Sequence, residues 1–100
     1  MKSVVEKHLK KIATLCKRYK VKQLFVFGSV LTDRFGKDSD IDLIVDFDKD
    51  KIEDYFENFF DFKYSLEDIF KRKVDLLEDQ TIKNPYLRQS VEETKTLIYG

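Results

Sequence analysis

The stretch LFVFGSVLTDRFGKDSDIDLIVDF, residues 24–47, decides the fold because it holds two strand signals separated by a polar loop. Its first apolar run belongs to a segment, Val21 to Phe27, that predicts a strand covered on both faces. The pair Gly28-Ser29 ends this strand. Asp40 to Phe47 predicts a second strand, one face of which consists of Ile41, Leu43, Val45 and Phe47.

Asp40 and Asp42 fall on the opposite face of the second strand, with their Cα atoms roughly 6.5–7 Å apart. Two carboxylates that point into the same space repel each other, and a cation between them relieves the repulsion. Mg²⁺ suits such a site because it binds one or two carboxylates together with phosphate oxygens. Asp75, within the apolar run VDLL, is the candidate third carboxylate if its strand pairs beside the second one. Three carboxylates around two metal ions are typical of phosphoryl or nucleotidyl transfer.

Gly28 and Ser29 supply the other half of the predicted site. Glycine lets the backbone approach a ligand closely, exposed backbone N–H groups bind anions, and the serine hydroxyl adds a donor. Each feature alone is more often a turn or a surface charge, so the prediction depends on their combination. An EF-hand calcium loop starting at Asp38 is excluded, because its sixth and twelfth positions are Leu43 and Lys49 instead of Gly and Glu.

Helical periodicity predicts three helices around these strands. A capping box at Ser3 to Glu6 opens the first, which apolar spacing extends to about Tyr19. The second helix ends at Lys71, and its apolar stripe comprises Ile52, Tyr55, Phe56, Phe59, Leu66, Ile69 and Phe70. Asn84-Pro85 starts the last helix, which is predicted to be lined by Tyr86, Leu87, Val91 and Leu97. Val74 to Leu77 predicts a third strand between the last two helices.

The predicted order is therefore α-β-β-α-β-α, an α/β (α+β) fold with a small mixed sheet flanked by helices, forming a single domain over residues 1–100. Four aromatic residues fall outside the predicted apolar stripes, and core filling or a partner surface are open alternatives for Phe60, Phe62, Tyr64 and Tyr99. His8, the one histidine, is expected to be exposed and not catalytic.

Composition limits the environment of the protein. The 100 residues are 42% hydrophobic, which is enough for a core, and no apolar run is long enough for a membrane span. The one cysteine, Cys16, lies on an apolar helical face, so we expect it to be buried in a protein of the reducing cytoplasm. Residues 38–61 contain ten Asp and Glu against two Lys, which is unlike a nucleic-acid surface.

At this point the residues match a family. FGSVLTDRFGKDSDIDLIVDF resembles the signature of the DNA polymerase β-like nucleotidyltransferases, in which Gly-Ser precedes an Asp-x-Asp on the next strand, and RKVDLL resembles their third acidic strand. The chain length and the ending IKNPYLRQSVEETKTLIYG resemble the minimal nucleotidyltransferases, which are often encoded with a HEPN-domain toxin. Lys71 stands where many members have glycine, a change expected to affect only a helix end. Thr32-Asp33 replaces an Arg-Gly pair common in the family.

The resemblance implies a role for each candidate residue. Asp40, Asp42 and Asp75 would bind Mg²⁺, as two ions, while Gly28, Ser29 and Ser39 would bind the nucleotide. The implied reaction is transfer of AMP from ATP to a tyrosine of the HEPN partner, which makes the chain an antitoxin. Two alternatives are an antitoxin that masks its partner without chemistry, and transfer to a small molecule or RNA. The acceptor, the base preference, the number of nucleotides transferred and the oligomeric state are left open.

Overall fold

A computed structural model describes residues 3–27 and 40–100 of the chain. In these two ranges the chain forms four α-helices and four strands, which confirms the predicted fold class. In chain order they are α1 (Ser3–Glu6), α2 (Leu9–Arg18), β1 (Val21–Phe27), β2 (Ile41–Phe47), α3 (Tyr55–Phe70), β3 (Val74–Glu78), α4 (Pro85–Thr94) and β4 (Thr96–Tyr99). None of the helices in the described part of the chain is long and apolar enough to cross a bilayer.

The strands form one mixed sheet in the order β3-β2-β1-β4. β1 pairs antiparallel with β2 on one side and with β4 on the other. β2 and β3 are parallel, and α3 connects them because parallel neighbours need a crossover. β1 is therefore an inner strand, as its run of apolar residues predicted.

The alternation predicted for β2 is confirmed and divides the core between the two faces of the sheet. One face, covered by α1, α2 and α3, contains the larger cluster, which includes Ile12, Cys16, Leu24, Leu43, Phe47, Phe62 and Leu66. The other face holds a smaller cluster of Ile44, Ile82 and Val91, with Phe25, Phe27 and Leu77 packed against it. Val91 belongs to α4, so α4 covers part of the face on which the aspartates of β2 lie.

Local signals define the ends of the later helices. The Asp54 side chain caps α3 by accepting a hydrogen bond of 3.0 Å from the backbone N–H of Glu57. Asn84 caps α4 in the predicted way and accepts bonds from Tyr86 and Leu87. α3 ends at Lys71, which has a left-handed backbone with φ of 57°. Lys71 thus occupies the cap position where glycine is most favourable, and the change affects a helix end as expected.

Two predicted boundaries are wrong. The first helix does not run unbroken to Tyr19, because His8 leaves the helical conformation with φ of −114° and ψ of 10° and separates α1 from α2. The His8 ring there packs edge-on against Phe70, at 5.8 Å between centroids. The sequence prediction also missed β4: Leu97 was assigned to the last helix but lies in this edge strand, which extends the order to α-α-β-β-α-β-α-β.

The predicted phase of α3 is also partly wrong. Phe56, placed on the buried stripe, is 73% exposed, whereas Phe62, placed outside the stripe, is completely buried. The buried face has helical spacing, and it comprises Tyr55, Phe59, Phe62, Leu66 and Phe70. On α4 only Val91 is buried, and Tyr86 and Leu87 are exposed instead of lining the core. Tyr99 packs against the larger cluster, so its core interpretation holds.

Candidate active site

Asp42 and Asp75 are neighbours in the sheet. β2 and β3 pair in parallel register, and the Cα partner of Asp42 is Asp75. Residues that pair in register point to the same face, with their strands about 4.8 Å apart. The face is the one that carries Ile44 and α4, since Ile41 and Leu43 belong to the opposite cluster. The sequence prediction that Asp75 would join the aspartates if its strand paired beside the second strand is therefore satisfied.

Asp40 directly precedes β2 and lies at the same end of the sheet. A hydrogen bond of 3.0 Å from the backbone N–H of Ile41 to the carbonyl of Lys73 ties the starts of β2 and β3 together. Asp40 and Asp75 are exposed, and Asp42 is half-buried. A ligand from solvent can therefore reach the carboxylates at this end of the sheet.

Phe27 flanks Asp42 on the side opposite Asp75. It ends β1 and is the antiparallel Cα partner of Asp42. Gly28, the next residue along the chain, Ser29 and Ser39 lie outside the described residues. The described end of β1 thus leads into the Gly28-Ser29 segment from a position beside Asp42.

Glu67 is a site-adjacent residue that the sequence reasoning missed. Its carboxylate Oε2 accepts a hydrogen bond of 2.9 Å from the backbone N–H of Val74, the first residue of β3. The bond joins the last turns of α3 to the residue that precedes Asp75. The seven-residue separation gives no local signal, because the contact exists only after Lys71 turns the chain back toward the sheet. Glu67 therefore fixes the start of the strand that carries Asp75.

The donor chemistry of the three carboxylates fits a hard divalent cation. Among the described residues, neither Asp40 nor Asp75 forms an ion pair with a cationic side chain, so no lysine or arginine there neutralises them. In the same ranges no three His, Cys, Asp or Glu side chains are close enough together to hold a metal ion by themselves. Mg²⁺ needs only one or two carboxylates when phosphate oxygens complete its shell, and the pair Asp42 and Asp75 meets that requirement.

Other reactive side chains are unsuited to chemistry at this site. Cys16 is completely buried, and this burial raises the pKa of its thiol to about 12. His8 is half-buried rather than exposed, and desolvation together with Lys7 and Lys11 lowers its pKa. Cys16 lies on α2 and His8 in the break between α1 and α2, the helices that cover the face of the sheet opposite Asp42. Within the part of the chain that the structure describes, the carboxylates are thus the candidates for chemistry at this end of the sheet.

These features define a class of protein: a mixed sheet with Asp42 and Asp75 in register on its two parallel strands, an arrangement typical of nucleotidyl transfer. The sequence model of the family described as "Polymerase beta, Nucleotidyltransferase" matches residues 10–100. The chain therefore belongs to the polymerase beta nucleotidyltransferase family. Membership makes it a nucleotidyltransferase enzyme, and it confirms the resemblance of the residue 24–47 signature.

Similar proteins agree with this assignment. A protein of Methanocaldococcus jannaschii named "Putative protein adenylyltransferase" is 41% identical over 99 residues, which cover 99% of this chain and 93% of that protein. A solved structure of a "putative minimal nucleotidyltransferase" is 26% identical, with a TM-score of 0.76 over 96% of this chain and 95% of that one. The antitoxin complexed with a tri-AMPylated Shewanella oneidensis HEPN toxin shares the fold at 20% identity, with a TM-score of 0.66 over 96% of this chain and 72% of that one.

Proposed function

We propose that the chain transfers AMP from ATP to a hydroxyl group of a partner protein. The observation that carries this proposal is the register of β2 and β3, which sets Asp42 beside Asp75 with Asp40 two residues earlier. The relative named as a protein adenylyltransferase supports a protein acceptor. The complex of a similar fold with a tri-AMPylated HEPN toxin supports a HEPN-domain toxin as that acceptor and the chain as its antitoxin. The modified residue that we propose is a tyrosine, as the family resemblance implies.

The reaction is an attack by the acceptor hydroxyl oxygen on the α-phosphorus of ATP. A bond forms between these two atoms, and the bond from the α-phosphorus to the oxygen that bridges to the β-phosphate breaks. Pyrophosphate leaves with the electron pair of that bond. The hydroxyl proton passes to a carboxylate, and Asp75 is the residue we assign to this role because it is exposed at the edge strand.

Asp40, Asp42 and Asp75 are the residues that would hold two Mg²⁺ ions. When bound, these ions would neutralise the charge of the phosphates and of the departing pyrophosphate. Asp40 and Asp42 would act on the phosphates through the bound Mg²⁺, and Gly28, Ser29 and Ser39 would bind phosphate oxygens directly. Phe27 supports this arrangement, since it is the Cα partner of Asp42 and directly precedes Gly28 in the sequence.

The test is a transfer assay with labelled ATP, Mg²⁺, the purified chain and the HEPN-domain protein encoded beside it. Asp42→Asn should lose the label on the partner. Asp46→Asn is the matched control, because Asp46 lies on the same face of β2, four residues along the strand from the site. Asp46→Asn should keep transfer within about twofold of wild type, since a surface substitution away from the site changes little.

Two results would redirect the proposal. Tight binding of the partner by the wild-type chain without any transfer would favour an antitoxin that masks its partner by contact alone. Transfer of label to RNA or to a small molecule, with none on the partner, would replace the acceptor class. Loss of transfer in Asp46→Asn equal to that in Asp42→Asn would remove the assignment of the site.

We also propose that residues 1–100 act as a single domain in the cytoplasm. Both apolar clusters pack on the two faces of one sheet, which supports a single folding unit. Cys16 is a buried free thiol, which fits a reducing compartment. Proteolysis of the native chain that releases a stable fragment would contradict the single-domain proposal.

A further inference from the structure

The outer surface of α3 carries aromatic side chains that the core does not use. Phe56 and Tyr64 are 73% and 59% exposed, and Phe60 lies between them, one helical turn from each. The ring centroids of Phe56 and Phe60 are 4.7 Å apart, and those of Phe60 and Tyr64 are 6.1 Å apart. We call these three residues the aromatic ridge. Contiguous exposed rings of this kind mark interaction sites on soluble domains.

A depression lies beside each end of the aromatic ridge. Beside Phe56 and Phe60, a groove of about 300 Å³ also reaches Leu76 and Leu77 of the edge strand β3. Beside Tyr64, a groove of about 410 Å³ is lined by residues of α2, its C-cap and α3, namely Leu15, Tyr19, Asp61, Ser65, Asp68 and Ile69. The ridge itself follows an i, i+4, i+8 row about 12 Å long. A helix packs its own side-chain rows into such grooves, so the shape suits a partner helix.

Carboxylates run along one flank of the ridge. Glu57, Asp61 and Asp68 share a side of α3, and we call them the acidic row. Asp68 pairs with Lys71 at 3.3 Å, while Glu57 and Asp61 form no ion pair with any cation in the described ranges. Glu57 and Asp61 line a depression together with Arg18, Lys20 and Lys51, and none of these three cations forms an ion pair with either carboxylate. The unpaired charge favours a partner that places Lys or Arg next to its apolar stripe.

The charge of the acidic row also disfavours a second copy of the chain as the molecule that binds the aromatic ridge. An antiparallel two-fold pairing of α3 with itself brings the same flank of both helices together. The acidic row of one copy would then face that of the other, and like charges across an interface cost free energy. The charge pattern therefore disfavours antiparallel self-pairing of α3 and favours a different protein.

We propose that the aromatic ridge and the acidic row dock an amphipathic helix of the partner protein, one whose apolar stripe is bordered by Lys or Arg. This inference rests on the proposed function, because the partner is the protein that receives AMP. α3 packs on the face of the sheet opposite Asp42 and Asp75. Docking and transfer thus use separate surfaces, so each can be removed without the other.

The test measures binding of the HEPN-domain protein to variants by isothermal titration calorimetry. Phe56→Ala/Tyr64→Ala should weaken binding roughly tenfold or more, as the loss of buried aromatic anchors does. Tyr86→Ala is the matched control, since Tyr86 is 85% exposed on α4, and its affinity should stay within about twofold. Asp61→Lys should weaken binding and make it less sensitive to salt. Unchanged melting midpoints show that the variants are folded.

The outcomes separate this inference from the proposed function. Wild-type affinity in Phe56→Ala/Tyr64→Ala overturns the docking surface, whether or not AMP is transferred. Sedimentation that shows dimers of the chain alone, lost in the same variant, overturns it as well, because the occupant is then a second copy. Ridge-dependent binding without transfer supports docking and overturns the transfer alone. Failure of the wild-type chain to bind the HEPN-domain protein overturns both.

Discussion

The two carboxylates of β3, Asp75 and Glu78, are three residues apart and differ in what surrounds them. Glu78 forms an ion pair with Lys49, with 2.5 Å between the carboxylate oxygen and the ammonium nitrogen. The same ammonium donates a hydrogen bond of 2.9 Å to Gln80 and lies over the Tyr55 ring. Burial alone would raise the pKa of Glu78, but the hydrogen bond from Lys49 and the nearby Tyr55 hydroxyl outweigh it and lower that pKa. The negative charge of Glu78 is therefore neutralised by a side chain of the protein itself.

Asp75 has the opposite surroundings. The residue in register with Asp75 is another carboxylate, Asp42. Among the described residues, no cationic side chain forms an ion pair with Asp75. A carboxylate that the fold neutralises stabilises structure, whereas one that the fold leaves beside a like charge is available to a ligand. The contrast shows that two carboxylates on one strand differ through their neighbours, and it is the basis for proposing a functional role for Asp75 and a structural one for Glu78.

The largest expected difference between substitutions of Asp75 and of Glu78 is in the rate of AMP transfer. We expect Asp75→Asn to lower the rate of AMP transfer by roughly 10²–10³, the scale for losing one electrostatic contact to a transferring group. Glu78→Gln should stay within about twofold of wild type, since Lys49 keeps an oxygen acceptor. Single-turnover transfer of labelled AMP measures both. Equal losses in the two variants would contradict the functional division of β3.

Ligand-linked stability gives the next largest effect. At one hundred times the dissociation constant of Mg²⁺-ATP, binding adds about 2.7 kcal/mol to the free energy of unfolding and raises the melting midpoint by roughly 10 °C. Asp75→Asn should lose most of this shift, and Glu78→Gln should keep it. Thermal melting with and without Mg²⁺-ATP measures the difference. A full shift in Asp75→Asn would show that the nucleotide binds elsewhere.

Glu67 is expected to position Asp75, because the hydrogen bond that it accepts from the backbone of Val74 fixes the end of β3 near Asp75. Glu67→Leu removes that acceptor, and we expect a loss of about 1–3 kcal/mol in unfolding free energy with transfer roughly tenfold slower. Glu67→Gln keeps an oxygen acceptor and should restore most of both. Chemical denaturation and single-turnover transfer are the measurements. Equal transfer in Glu67→Leu and wild type would mean that Asp75 is positioned without Glu67.

The smallest expected effect is the pH dependence of stability contributed by Glu78. Its pKa is lowered in the folded state, so its stabilisation is present above the unfolded pKa and is lost as pH falls through the folded value. Between roughly pH 5 and pH 3, the wild-type chain should therefore lose about 1 kcal/mol or less beyond the loss seen in Glu78→Gln. Urea denaturation across this range measures the difference. Parallel curves for the two proteins would contradict the ion pair's contribution.

Much of the fold followed from local patterns in the sequence. Alternation in β2 gave the two faces, and Asp42 lies on the face predicted for it, opposite Ile41 and Leu43. The bounds of β1 and the cap at Asn84 were also predicted, because periodicity and capping depend on residues a few positions apart. Such local interactions can therefore be predicted from neighbouring residues in the sequence.

The predictions were wrong where contacts with residues distant in the sequence determine the structure. The exposure of Phe56 and the burial of Phe62 depend on how α3 is rotated against the sheet. The break at His8 places its ring against Phe70, more than sixty residues along the chain. β4 is short and exists as a strand because β1 offers it an edge. Short edge strands have little periodic signal of their own.

The sequence by itself determined that two aspartates open a strand behind a Gly-Ser pair, and this was enough to identify the family. The tertiary structure alone decided that Asp75 stands in register with Asp42, that Glu78 on the same strand is neutralised by Lys49, and that the rings of α3 remain exposed. The physical reason is that a carboxylate's role depends on the charges around it, and strand pairing brings those charges together from distant parts of the chain.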